Sequence, residues 1–257
     1  MRQKTDRSFL DRMLGEHADQ LERVVDAYTR NVENQVPIHP EFVADVLDDL
    51  ASDDAVFTVD TGMCNVWAAR YVTPNGRRRV LGSFVHGSMA NALPQAIGAQ
   101  IAAPDRQVIS MSGDGGLSML LGDLLTLRTH GLPVKTVVFN NSSLGMVKLE
   151  MLVDGLPDFG TDHDSVDFAA IAAAAGIHSV RVEKPGEVRD ALADALGRPG
   201  PALVDIVTDP NALSIPPRIT GTQVKGFALA VSRTVLSGGV GKMVQLARSN
   251  LRNVPRP

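Results

Sequence analysis

A single cysteine, Cys64, stands in the 257 residues, so no disulfide can form within the chain, and a reducing cytosol suits it. Cys64 itself is expected as a small buried core residue. No stretch reaches the roughly 18 apolar residues of a membrane span, and the opening MRQKTDRSFLDRML has no apolar signal core. There are no internal repeats and no cysteine and histidine pairs at zinc spacing; the six histidines are scattered. Acidic residues stop at Asp209. Beyond it lie Arg218, Lys225, Arg233, Lys242, Arg248, Arg252 and Arg256, a charge of +7, which leaves −11 for residues 1–209 in a chain whose total is −4. Such asymmetry predicts a functionally separate tail. The rest of the composition, 44 % hydrophobic and 21 % charged, is that of an ordinary globular protein with room for one large domain plus appendages.

Hydrophobic patterning divides the chain into three. Residues 1–36 contain a polar amphipathic helix over 5–28, expected as a linker or the end of a preceding unit. Pro37 to Pro40 mark a boundary, and Pro40 suits the first turn of a helix running to about Leu50. Six strand candidates follow, at Val56–Val59, Arg79–Phe84, Val108–Met111, Lys135–Phe139, Ser179–Val182 and Ala202–Val207. The clearest helices between them are Asn91–Ala103, Leu117–His130, Phe168–Ala175 and Glu187–Leu196. This alternation predicts an α/β domain over 37–209, a parallel six-stranded sheet with helices on both faces. Gly155–Val166, rich in Gly, Asp and Pro, has no period and is expected as a loop. Residues 210–257 form a basic helical tail split by Ser237-Gly238-Gly239.

Asp114 and Asn141 are 27 positions apart, each just past a strand-like run. The strand-helix-strand unit between them puts both ends on one rim, where open α/β sheets bind ligands. A carboxylate and an amide oxygen suit a hard cation such as Mg2+, which completes its shell with phosphate and water. Gly115 and Gly116 let backbone N–H groups approach an anion. A lone Gly-Asp-Gly is usually a tight turn; the asparagine pair at this distance makes it a site. Asp60-Thr61-Gly62 is a further rim candidate, equally well explained as a helix N-cap by Asp60 or Thr61. His86 is as well explained structurally as chemically, and His163, in the loop, receives no role.

Gly113-Asp114-Gly115, a spacer of 24 residues and Asn140-Asn141 resemble the signature of thiamine-diphosphate enzymes. The resemblance implies Mg2+ held by Asp114, Asn141 and the backbone carbonyl of Ser143. Gly115 and Gly116 would hold the diphosphate, with Ser142, Leu144 and Gly145 completing the cofactor-binding turn. Upstream, Val85-His86-Gly87-Ser88-Met89-Ala90-Asn91-Ala92-Leu93-Pro94 is similar to the segment that holds the aminopyrimidine ring. Gly87, Ser88 and Met89 would contact it, Met89 as a prop for the bent cofactor.

From Ala55 to Pro217 the sequence most resembles flavin-containing, quinone-reducing pyruvate oxidases, in strings such as LGSFVHGSMANALPQAIGAQ (81–100) and LPVKTVVFNNSSLG (132–145). Met146 departs towards acetolactate synthases, where the oxidases tend to carry Phe; Glu150 pulls back, because the synthases usually carry Trp there. Glu150 on the substrate side and Met146 in the pocket wall are the catalytic candidates. The resemblance implies oxidative decarboxylation of pyruvate, with electrons passing through flavin to a quinone. The alternatives are an acetolactate-synthase-like carboligase and a non-catalytic remnant that binds cofactor or membrane. No segment matches the activating glutamate of the pyrimidine-binding domain, and none the FAD-binding one, so the resemblance implies either a truncated chain or one subunit of a split enzyme, with FAD only where another chain supplies its domain. A homo-oligomer or a split-subunit partner is therefore expected, and no nucleic acid. In the tail, Val240, Met243, Val244, Ala247 and Leu251 share one helical face, with Lys242, Arg248 and Arg252 mostly off it. Phe227, Val231 and Val235 make a shorter stripe. The expectation is a cytoplasmic protein lying peripherally on the inner face of the cell membrane, its tail against anionic lipid.

Overall fold

The computed structural model describes residues 5–20, 29, 35–213 and 221–250. Six strands, β1 (Val56–Val59), β2 (Arg79–Gly82), β3 (Val108–Gly113), β4 (Lys135–Asn140), β5 (His178–Val182) and β6 (Ala202–Val207), form one parallel sheet in the order β2-β1-β3-β4-β6-β5. The expected α/β fold is present. Alternation along each central strand sends side chains to opposite faces. Phe57, Val59, Ile109, Met111, Val137, Phe139, Val204 and Ile206 pack with α2 (Pro40–Leu50), α3 (Met63–Tyr71) and α9 (Val188–Gly197). Val56, Val108, Val138 and Leu203 pack on the other side with α4 (Ala92–Ala102), α5 (Asp114–Met119), α6 (Asp123–His130) and α8 (Phe168–Ala174). Pro40 occupies the first turn of α2 as expected.

Most boundaries shift by a residue or two, and two elements depart in an informative way. β2 ends at Gly82, two residues short of Phe84, because the Phe84 ring folds back to where a Cβ on Gly82 would sit. The expected helix Leu117–His130 is two helices, the first beginning at Asp114 itself. Leu120 closes α5 with a three-residue bond to the Leu117 carbonyl, and α6 restarts at Asp123. Its end is as expected: Gly131, at φ +59°, reverses the chain, and Leu132 N–H reaches back to the Leu127 carbonyl.

The order of strands decides where a ligand can sit. From β1 the chain goes outward to β2, then returns to β3 on the other side of β1, so the connections diverge above the C-terminal ends of β1 and β3. Such divergence opens a crevice in parallel sheets. The N-terminal helix α1 (Ser8–Gln20) covers part of the expected 5–28 stretch; residues 21–28 lie outside the described residues.

Two helices make up the described tail, α10 (Gly221–Leu236) and α11 (Val240–Asn250), broken at Ser237-Gly238-Gly239 as expected. They dock on α7 (Gly145–Val153): Ala230 and Leu246 are buried with Leu152 and Leu213, and Met243 packs on the same cluster. Lys242 pairs with Asp158 at 2.5 Å, and Arg233 donates to the Gly155 carbonyl at 2.8 Å. The expected lipid stripe is therefore divided. Met243 turns inward while Val240, Val244 and Ala247 stay exposed; Leu251, Arg252, Arg256 and Arg218 lie outside the described residues. Of the stripe Phe227, Val231 and Val235, Phe227 and Val235 are exposed and Val231 is half-buried. Among the described residues, no helix is long and apolar enough to cross a membrane.

Candidate cofactor and metal site

β3 and β4 run in step to their C-terminal ends, Gly113 opposite Phe139. Asp114 follows Gly113 and opens α5, only 2 % exposed. Its Oδ1 accepts from the Gly115 N–H at 2.8 Å and its Oδ2 from the Ser142 N–H at 2.5 Å. Burial pushes this carboxyl above its ordinary range, against the N–H donors and the neighbouring His163. A bound cation would reverse that balance.

The asparagine pair splits by role. Asn140 is buried, donating to the Val166 carbonyl and to Asp205 Oδ1, both at 2.9 Å, and so locks β4 to β6 and the following loop. Asn141 faces the cleft, its Oδ1 accepting from the Ser143 N–H at 2.9 Å. The turn needs Ser142 at φ +52°, a left-handed conformation rare for a non-glycine residue. That conformation aims the Ser142 N–H at Asp114. Asp114, Asn141 and Ser143 thus line one cleft, together with Asp60, Thr61, Gly62, Met89, Gly115, Gly116, Leu144, Gly145 and Met146.

The glycines keep this cleft open. A Cβ on Gly115 would approach the Leu144 side chain to 2.7 Å and Met89 to 3.6 Å, and one on Gly116 would collide with the Asp60 carboxylate. Gly87, at φ +65°, lies on the same rim, a Cβ there standing 3.7 Å from Thr61. Ser88 beside it is exposed. Glu150 is exposed on α7 and does not line the cleft, whereas Met146 does; His86 is exposed and outside it.

Asp60 caps no residue of its own following helix. Gly62 is the N-cap of α3, and Asp60 Oδ1 instead accepts from the N–H of Ala92, the first residue of α4, at 2.8 Å. Its Oδ2 is buried with no partner, and burial raises the carboxyl to about 6. His163, given no role from the sequence, has Nε2 3.6 Å from Asp114 Oδ2. Its loop has no periodicity and it lies 49 positions from Asp114; the bridge between Ser143 and Asp162, with the His163 N–H donating to the Ser142 carbonyl at 3.0 Å, brings it to the rim.

Among the described residues no cluster of three or more His, Cys, Asp or Glu side chains could hold a metal. A cation here would depend on one carboxylate with amide and carbonyl oxygens, a donor set that suits Mg2+ better than zinc. The residues fit the group the sequence implies, since the glycine floor leaves room beside Asp114 for a diphosphate.

Similarity to known proteins agrees. A Bacillus subtilis (strain 168) protein named as thiamine pyrophosphate-containing, YdaP, is 36 % identical over 217 residues, 84 % of this chain and 38 % of its own length. The chloroplastic acetolactate synthase of Arabidopsis thaliana is 35 % identical over 179 residues, covering 66 % and 27 %. Acetolactate synthase 1 of Oryza sativa subsp. japonica is 34 % identical over 202 residues, covering 75 % and 31 %. The chain spans about a third of the length of these curated relatives. Two of the three are named as acetolactate synthases and none as a pyruvate oxidase, the resemblance expected from the sequence. The profile described as thiamine pyrophosphate enzyme, C-terminal TPP binding domain, matches residues 60–206, more than half of the sequence, and the chain belongs to that family.

Proposed function

We propose that this chain is the diphosphate- and cation-holding part of a thiamine-diphosphate enzyme that joins two 2-oxo acids, as the names of its acetolactate-synthase relatives suggest. The observation that carries it is Met146 in the wall of the cleft that Asp114 and Asn141 share. Asp114, Asn141 and the Ser143 carbonyl would hold Mg2+, Gly115 and Gly116 would admit the diphosphate, and Gly87, Ser88 and Met89 would hold the ring. When bound, the cofactor supplies a nucleophilic ring carbon and an electron sink. The chain's own residues then orient and enclose. Leu144, Met63 and Met146 keep one wall apolar, and the half-buried backbone donors of Gly115 and Ser142 fix the Asp114 carboxylate.

The pyrimidine-activating glutamate would come from a second domain or subunit, so a partner of that kind belongs to the proposal, as does a homo-oligomer. Oxidation of pyruvate through flavin to quinone is the second reading, favoured by Glu150 where the synthases usually carry Trp. Asp114→Ala should abolish Mg2+-dependent binding of thiamine diphosphate in titration calorimetry; equal binding by both proteins would remove the site assignment. With the pyrimidine-binding partner added, pyruvate should yield acetolactate without reducing added FAD. Flavin reduction in that assay would favour the oxidase. The outward stripe of the tail supports a further proposal, contact with an anionic membrane surface from the cytoplasmic side.

A further inference from the structure

Between the end of β2 and the start of α4 the chain makes an excursion over residues 83–91. Much of it is held to itself. The Gly87 N–H donates to the Ser83 carbonyl at 2.7 Å, the Ser88 N–H to Ser83 Oγ at 3.1 Å, and Asn91 Nδ2 to the Ser88 carbonyl at 2.6 Å. Residues 84–88 are exposed, and the chain turns back into the body at Met89 and Ala90. That turn is strained. Ala90 is buried at φ +60°, a left-handed conformation unfavourable for any residue with a Cβ.

Such strain persists only where the surroundings impose it. Asn91, at the N-cap of α4, makes no side-chain cap bond to the helix. The acceptor comes instead from another strand: Asp60 Oδ1, just past β1, takes the Ala92 N–H at 2.8 Å, and the Asn91 N–H also lies towards this carboxyl. A local cap would have satisfied α4 without tying it to the sheet. On its other side Asp60 meets the floor of the cleft. A Cβ on Gly116 would collide with Asp60 Oδ2 and stand 3.5 Å from the Ala90 nitrogen. Met89, one residue before the strained turn, comes within 3.6 Å of where a Cβ on Gly115 would be. The carboxyl is thus wedged between the segment expected to hold the ring and the glycines expected to admit the diphosphate.

We propose that Asp60 is a positioning residue that holds Ala90 in its left-handed turn and so keeps Met89 over Gly115, fixing the ring-binding segment above the diphosphate floor. It acts through the backbone of residues 90–92. The inference rests on the cofactor reading proposed above and deepens it.

The test is calorimetry on the full chain with Mg2+, comparing thiamine diphosphate with inorganic diphosphate, which has no ring. Asp60 is an acid beside the floor, so a change in its charge acts on both ligands alike, and the ratio of their affinities isolates the ring segment. Wild type should prefer thiamine diphosphate. Asp60→Ala, checked for folding by circular dichroism, should lose about tenfold of that preference, a shift that the strain of one left-handed alanine is large enough to drive. Asp60→Ser, too short to reach the Ala92 N–H, takes its place if that variant does not fold. Asp60→Asn, whose amide oxygen still accepts from Ala92, should keep the preference within about twofold. Asp60→Ala with Ala90→Gly should recover most of the loss, because glycine takes positive φ without strain.

A preference unchanged in Asp60→Ala, or lost equally in Asp60→Asn, would overturn the role of Asp60 and leave the cofactor site standing. A double variant no better than Asp60→Ala would overturn it too. A wild type that binds both ligands equally would overturn the hold on Met89. Failure of the wild type to bind either ligand with Mg2+ would overturn both the inference and the site beneath it.

Discussion

Asp60 shows how much a single buried carboxyl can hold in place. It joins the end of β1 to the start of α4 across 32 positions through the Ala92 N–H, and its second oxygen fills the space that Gly116 leaves. Burial raises its folded-state value to about 6 from 3.8. Between those values the folded chain binds more protons than the unfolded one, so stability falls as pH rises from about 4 to 6, and the loss persists above 6. Asp60→Asn removes that ionisation. Thermal melts of the variant should be flatter than wild type across pH 4 to 6 and, at pH 7, more stable by about 1–3 kcal/mol, allowing 1.36 kcal/mol per pKa unit. A variant no more stable at pH 7 than at pH 4, relative to wild type, would mean that the carboxylate is stabilised by something other than the groups seen here.

At the scale of elements, strands were legible because their residues obey one period and one environment: Val108 to Met111 and Lys135 to Phe139 are buried throughout. The break between α5 and α6 was not legible. Leu117, Leu124 and Leu127 are all buried on the same side of the sheet at helical spacing, so their pattern continues across the gap that the chain makes at Leu120 to Gly122. Asp114 and Asn141 could be found because strand ends fix their places, whereas His163 could not, since a loop without periodicity is positioned only by its partners. Docking of the tail was hidden for a similar reason. Gly226 allows α10 to touch the backbone of Val153 and Gly155, where a Cβ would overlap the Val153 carbonyl. Gly226→Val should therefore destabilise by about 1–3 kcal/mol, as overpacking does. Amide exchange should speed up over 221–250 while β3 and β4 keep their protection. Unchanged exchange in α10 would show that the contact is not what holds the helix.

Over the whole molecule, the charge contrast between an acidic body and a basic tail is partly neutralised internally, because Lys242 reaches Asp158 and Asp162; Arg233 is held by the uncharged Gly155 carbonyl and keeps its charge. The same docking consumes the inward apolar face, namely Ala230, Met243 and Leu246. Any lipid contact must then use what remains outside: Val224, Phe227, Leu229, Val235 and Leu236 on α10, with Val240 and Val244 on α11, beside the exposed Lys225 and Arg248. Basic residues near an anionic surface contribute about 1 kcal/mol each, and salt weakens that attraction within a Debye length of about 10 Å at 0.1 M. The full chain should float with anionic vesicles at low salt and be released as salt rises. Phe227→Asp should abolish flotation with a change in stability within about 0.5 kcal/mol, as for an exposed position. Met243→Asp should instead lower the melting temperature, because it places a charge against Leu152 and Leu246. If wild-type protein stays in solution at low salt, the outward stripe has no lipid role; if Phe227→Asp floats as well as wild type, the contact lies elsewhere.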